Sequence, residues 1–342
     1  MTAANPYAER LDAIPVARHD VTVAGTRTAY WTYGPDDAAT TILAVHGFRG
    51  EHHGLEPVVA FLDDVRVVSP DLPGFGETPA LPGRHDLAGY ADWLTAFAAA
   101  AAPGAVVLGH SFGSIVSAAA VARGLPTPRL ILVNPIGAPA LEGPRGILTR
   151  LAIFYYRAGA RLPRRLGDAL LRNPLIVRVM SIAMAKTRDK DLRAFIHDQH
   201  DTYFSRFADR DTLSEAFVTS VSNDVRAAAP DIAVPTLLIA AENDDITPLS
   251  AQYALQKLFP HAELVVIPGV GHLIHYETPQ AAASAVTRFL RPSGGDTPCR
   301  SCGCRSCRCR SSASSRSSNS RCRRPRSRRP STPARGRTRP SG

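Results

Sequence analysis

The chain has 342 residues, 44% of them apolar, and a formal charge of +10, which allows one large domain or two modest ones with a sizeable core. The charge is concentrated: residues 292–342 hold 14 arginines, no lysine and one acid, Asp296, for +13, which leaves residues 1–291 at −3 and excludes a strongly basic body. All six cysteines (Cys299, Cys302, Cys304, Cys307, Cys309 and Cys322) fall in the same stretch, so neither disulfides nor thiol catalysis can serve the body.

From the N-terminus, residues 1–20 are polar and broken by Pro6 and Pro15, with no basic segment leading into an apolar one. No run reaches the roughly 18 apolar residues of a membrane span. The expectation is a cytoplasmic protein without a signal peptide. Strands are predicted at 20–24, 27–33, 41–46, 65–69, 105–109, 129–134, 236–241 and 263–267, and helices at 86–101, 112–123, 249–259 and 278–290. The first two strands, linked through Gly25, read as an antiparallel hairpin at one edge. The later alternation predicts an α/β fold, a mostly parallel eight-stranded sheet with helices on both faces.

The alternation stops at Gly137 and resumes after Pro230, so the interval reads as an inserted helical cap rather than a second domain. The resulting division is 1–136 and 231–291 for the core, 137–230 for the cap and 292–342 for a tail. In the cap, residues 145–193 carry 12 basic side chains against three acids, Asp168, Asp189 and Asp191, interspersed with apolar ones such as Phe154, Leu175 and Ile182. That composition fits a cap core with a solvated basic face, and secondarily a weak contact with an anionic membrane. The tail lacks apolar residues to bury and is expected to be disordered. Arginine without lysine, mixed with Ser, Pro and Cys, reads first as an out-of-frame product of GC-rich DNA. Nonspecific nucleic-acid or phosphate binding comes second, and a zinc-thiolate cluster last.

Chemistry is concentrated at the predicted strand ends. Gly109-His110-Ser111-Phe112-Gly113 lies between a strand and a helix, the setting that strains a serine onto a sharp turn and exposes its hydroxyl. A serine needs a base, which the Gly269-Val270-Gly271-His272 turn after the last strand supplies. The base needs a carboxylate; Asp244, in the loop after the seventh strand, is the choice, with Asp245 as the alternative. The N–H groups of Phe112 and of Phe48, in the His46-Gly47-Phe48-Arg49-Gly50 turn, are the expected oxyanion donors. His46 reads as a hydrogen-bonding residue of that turn. His52 and His53 are expected in a solvated loop, within reach of a substrate.

These blocks, with the Asp71-Leu72-Pro73-Gly74-Phe75-Gly76 loop, resemble the α/β-hydrolase superfamily over most of residues 20–291, and the order Ser111, Asp244, His272 is the order found there. The resemblance implies an eight-stranded sheet with a cap inserted after the sixth strand. Ser111 at the turn departs from the Asp of relatives that dehalogenate alkanes or open epoxides. The expected function is therefore a serine hydrolase of a small hydrophobic ester or related acyl compound, using neither metal nor organic cofactor. The alternatives are a carbon-carbon bond hydrolase of a dienone-type product and a non-catalytic lipid-docking protein that keeps the fold.

Overall fold

Continuous apolar runs such as Ile42-Leu43-Ala44-Val45 and Leu130-Ile131-Leu132-Val133 have no polar face to offer water, so they form central strands covered on both sides. A computed structural model describes residues 3–138 and 146–291. It contains an eight-stranded sheet of β1 (Val16–Val23), β2 (Thr26–Tyr33), β3 (Thr41–Val45), β4 (Arg66–Pro70), β5 (Val106–His110), β6 (Leu130–Val133), β7 (Thr236–Ala241) and β8 (Ala262–Ile267). The spatial order is β1-β2-β4-β3-β5-β6-β7-β8. Only β2 opposes its neighbours; β4 through β8 pair in parallel.

The first strand begins at Val16, not Asp20. Residues 16–19 pair with 30–33, but their side chains are mostly exposed, so this edge segment lacks an apolar signature. The Arg/Ser/Cys stretch 292–342 lies outside the described residues, and nothing structural bears on its sequence reading.

The helices are α1 (Ala8–Asp12), α2 (Glu56–Val59), α3 (Leu87–Ala101), α4 (Phe112–Ala122), α5 (Gly146–Arg161), α6 (Arg164–Leu171), α7 (Pro174–Met184), α8 (Lys190–Tyr203), α9 (Arg210–Ser222), α10 (Leu249–Gln256), α11 (Ile274–Glu277) and α12 (Pro279–Leu290). Strand alternation sends Leu43, Val45, Val107 and Leu132 into one core with Trp93, Phe97 and Ile115. Ile42, Ala44, Val106 and Ile131 enter the other, with Val58, Val59 and Val286. Buried Trp93 donates its indole N–H to the Thr28 hydroxyl at 3.0 Å, satisfying both groups.

Helices α5 to α9 occupy the connection between β6 and β7. Their limits follow local chemistry. Asn173 accepts from the Leu175 and Ile176 N–H groups with Pro174 behind it, and Asp189 and Asp209 cap α8 and α9 in the same manner.

Two glycines set how closely α4 approaches the sheet. A Cβ on Gly113 would lie 2.3 Å from the Val45 carbonyl oxygen, and one on Gly109 would lie 2.4 Å from that of Gly113. A side-chain rotation cannot relieve either clash, because the nearest opposing atom is backbone in both. Gly113→Ala is expected to destabilise the protein by about 3 kcal/mol in urea unfolding, as α4 is forced off β3. A change within error would mean that the helix can shift without cost.

Candidate active site

The carboxyl ends of β3, β5, β6, β7 and β8 open on one edge of the sheet, where open α/β sheets form their crevices. At the end of β5 the chain must enter α4 at once, and Ser111 does so with φ +53° and ψ −116°. That conformation is uncommon outside glycine. Its N–H donates to the Val133 carbonyl at 3.0 Å. Its carbonyl accepts both the Ser114 N–H, at 2.8 Å, and the Ser114 hydroxyl, at 2.5 Å.

The Ser111 hydroxyl lies 2.8 Å from His272 Nε2, and His272 Nδ1 lies 2.8 Å from Asp244 Oδ2. Asp244 Oδ1 accepts from the N–H groups of Ile246 (2.8 Å) and Thr247 (3.1 Å), which fixes the loop after β7. Burial works to raise the Asp244 carboxyl, but His272 and these two N–H groups outweigh it and hold the group below its ordinary value. Asp245 instead pairs with Lys186, just beyond α7. Of the two aspartates, Asp244 is the one brought to His272.

Phe112 opens α4, so its N–H has no carbonyl one helical turn earlier to receive it. The turn carrying Phe48 closes through the Gly50 N–H on the Gly47 carbonyl at 3.0 Å, and a Cβ on Gly47 would lie 3.3 Å from the Ser111 Cβ. Both predicted donors thus belong to backbone packed beside Ser111. His46 holds the turn. Its Nε2 accepts from the Leu72 N–H at 2.8 Å, leaving Nδ1–H to donate to the Gly47 carbonyl at 2.8 Å.

His52 and His53 depart from the solvated-loop expectation. His52 is buried, stacked on Trp31 and hydrogen-bonded through Nδ1 to Asp71 at 2.8 Å. His53 stacks on Tyr203 and bonds Glu51 at 2.5 Å. Partners distant in sequence, Trp31 and Tyr203, draw the pair inward. Glu51, His52 and His53 are the one group among the described residues whose donor atoms lie close enough for a metal ion. These groups already bond Asp71 and one another, and Arg206 lies 3.7 Å from Glu51. The cluster reads as a hydrogen-bonded network.

Two residues given no role from sequence complete the arrangement. Asn134, at φ +46° just past β6, donates its side-chain N–H to Asp244 Oδ2 at 3.0 Å. An asparagine tolerates that backbone region and also supplies a donor, and its place directly after a strand on this edge is the clue. Arg49, at φ +59°, is 2% exposed. Its guanidinium donates to the carbonyls of Phe204 (2.8 Å) and Leu171 (2.9 Å) and to the Tyr156 hydroxyl (3.2 Å), all within the insertion between β6 and β7.

A cavity of about 580 Å³ opens over Ser111 and His272, walled largely by apolar groups such as Phe48, Ile136, Tyr155, Met180, Phe217 and Leu273. His110 and His275 form part of its wall, with His200 buried nearby. Burial, with His272 alongside, pushes the His110 imidazole down to about 3. Burial and His110 take His275 well below its ordinary value, and burial with His197 takes His200 to about 3.

These rings are neutral when folded and protonate on unfolding. The stability they contribute is therefore complete above the ordinary histidine value of about 6.5 and is lost as pH falls from there toward 3. The urea midpoint is expected to drop between about pH 6.5 and pH 4, with a shallower slope in His110→Gln. An unchanged slope in that variant would show that His110 is not buried neutral.

The model of the alpha/beta hydrolase family matches residues 42–285, which include every residue of this cluster. Over 229 residues, 64% of this chain, the sequence is 29% identical to pimeloyl-[acyl-carrier protein] methyl ester esterase of Xanthomonas oryzae pv. oryzae (strain MAFF 311018), covering 82% of that protein. Over 260 residues, 72% of this chain, it is 25% identical to biotin biosynthesis bifunctional protein BioHC of Cellvibrio japonicus, but spans only 47% of that longer relative. Among solved structures, MGS-M2, an alpha/beta hydrolase enzyme from a Medee basin deep-sea metagenome library, has a TM-score of 0.65. Its identity is 19%, over 82% of this chain and 100% of that one, a likeness of fold.

Proposed function

The chain belongs to the alpha/beta hydrolase family, and we propose that it is a serine hydrolase of hydrophobic esters that works through an acyl-enzyme. The observation that carries this reading is the chain of contacts Ser111 Oγ to His272 Nε2 and His272 Nδ1 to Asp244, at 2.8 Å each, opening into the apolar cavity. Similarity to methyl ester esterases supports an ester as the scissile group.

In this reading the Ser111 oxygen attacks the acyl carbon while His272 Nε2 takes the hydroxyl proton. The carbonyl oxygen, now negative, rests against the N–H groups of Phe48 and Phe112, with the N-terminus of α4 adding its dipole. His272 then protonates the departing alkoxide. Water enters, gives a proton to His272 and attacks the acyl-enzyme, and the acid leaves as Ser111 recovers its proton. Asp244, held ionised, fixes the imidazole so that Nε2 faces the serine and balances its charge in transit. Asn134 keeps the carboxylate in place. Helices α5 to α9 act as a cap whose inner side holds the acyl chain, and the chemistry needs no cofactor.

A fluorophosphonate probe is expected to label Ser111, and Ser111→Ala or His272→Ala to reduce p-nitrophenyl ester turnover by about 1,000-fold or more, without additivity in the double variant. Medium and long acyl chains are expected to turn over better than acetyl. Labelling without ester turnover would move the reading to carbon-carbon cleavage; an unlabelled protein would discard the serine mechanism. Separately, Asp244→Asn is expected to cost far more activity than Asp245→Asn, and the reverse order would overturn the acid assignment.

A further inference from the structure

Apolar side chains normally turn away from water on a helix that has a core to face. Three helices of the cap bury one apolar side and turn further apolar side chains outward. On α7, Leu175, Val179 and Ile182 are 75, 66 and 59% exposed, and their i, i+4, i+7 spacing puts them on one face. On α5, Arg150, Phe154, Arg157 and Arg161 share a face at i, i+4, i+7 and i+11, with Phe154 at 72% exposure. Leu166, on α6, is exposed beside Arg164 and Arg165. Over residues 146–184 seven arginines stand against one acid, Asp168. Leu151 and Val179 are exposed and also line the cavity, so the apolar surface runs up to its mouth.

We propose that this face of the cap docks on an anionic lipid surface, with Phe154, Leu175 and Ile182 entering the acyl region and the arginines meeting the headgroups. The charge favours lipid over a neutral apolar partner. Long guanidinium side chains can lie along an apolar surface while their heads stay with phosphates, as interfacial helices require. No described helix is long and apolar enough to cross a membrane, so the contact is one that lies on the surface. The docked mouth would open onto the bilayer, giving a membrane-borne acyl chain a path to Ser111 that avoids water. This last step rests on the proposed hydrolase reading; the docking does not.

The test must separate the cap from residues 292–342, whose 14 arginines would also attract anionic vesicles. In the full-length chain, Phe154→Trp and Leu175→Trp place a reporter at the contact itself. Phosphatidylglycerol vesicles are expected to shift the emission of both to the blue relative to wild type, and phosphatidylcholine vesicles to leave it unchanged. The triple variant Phe154→Ser/Leu175→Ser/Ile182→Ser is expected to partition about ten-fold less onto phosphatidylglycerol vesicles, with turnover of a soluble ester unchanged. Vesicle binding with neither a shift nor a loss in the triple variant would place the contact outside the cap and overturn the proposal, as would no binding at all. A blue shift without vesicles, growing with protein concentration, would assign the face to a second copy of the chain instead. Reporter shifts in a protein that hydrolyses no ester would uphold docking while removing the hydrolase reading.

Discussion

Everything at the site depends on one backbone conformation, the left-handed turn at Ser111. Such a position costs a non-glycine residue about 1–3 kcal/mol, so it persists only where its surroundings over-determine it. Here they do. The β6 carbonyl of Val133 holds the Ser111 N–H, Ser114 holds its carbonyl twice, and the Ser114 hydroxyl also accepts the Ile136 N–H as the chain leaves β6. Side chains absent at 109 and 113 let strand, turn and helix close to backbone contact. The strain lifts the hydroxyl out of the sheet and sets the start of α4 beneath it.

The parallel register then delivers the partners. Strands β5, β6, β7 and β8 are adjacent, and their carboxyl ends supply Ser111, Asn134, Asp244 and His272 in spatial order. A slip of one residue in any strand would turn its core residues to the other face, and each strand is gripped by two cores of opposite parity. The position of the imidazole is thus a property of the sheet more than of its own loop. Electrostatics point the same way: the neighbouring rings of His110 and His275 are kept neutral by burial, while the Asp244 carboxylate is kept charged by His272 and by two directed N–H groups.

Local patterns made much of this legible from sequence. All eight strands have their own periodicity or apolar run, and Gly109-x-Ser111-x-Gly113 between a strand and a helix points to the turn because its steric needs are local. What escaped depends on distant partners. Val16–His19 is a strand only because β2 lies beside it. His52 and His53 look like loop residues until Trp31 and Tyr203 cover them. Asn134 reads as a strand terminus, and its bond to Asp244 spans 110 residues. Within 137–230 the pattern shows helices without showing how five of them pack, since their apolar faces are split between a cavity, a core and the outside.

Arg49 ties the turn after β3 to the insertion between β6 and β7. It follows Phe48, yet all three hydrogen-bond acceptors of its guanidinium come from the insertion, 107 to 155 residues further along. A buried charge deprived of its acceptors is far costlier than a buried apolar group. The insertion is therefore not an exchangeable module. An insertion grafted from a relative would have to bring its own acceptors for this guanidinium or arrive with a replacement at position 49. Substitutions that reshape the cavity wall along these helices leave the contact intact only while the carbonyls of Leu171 and Phe204 stay in place.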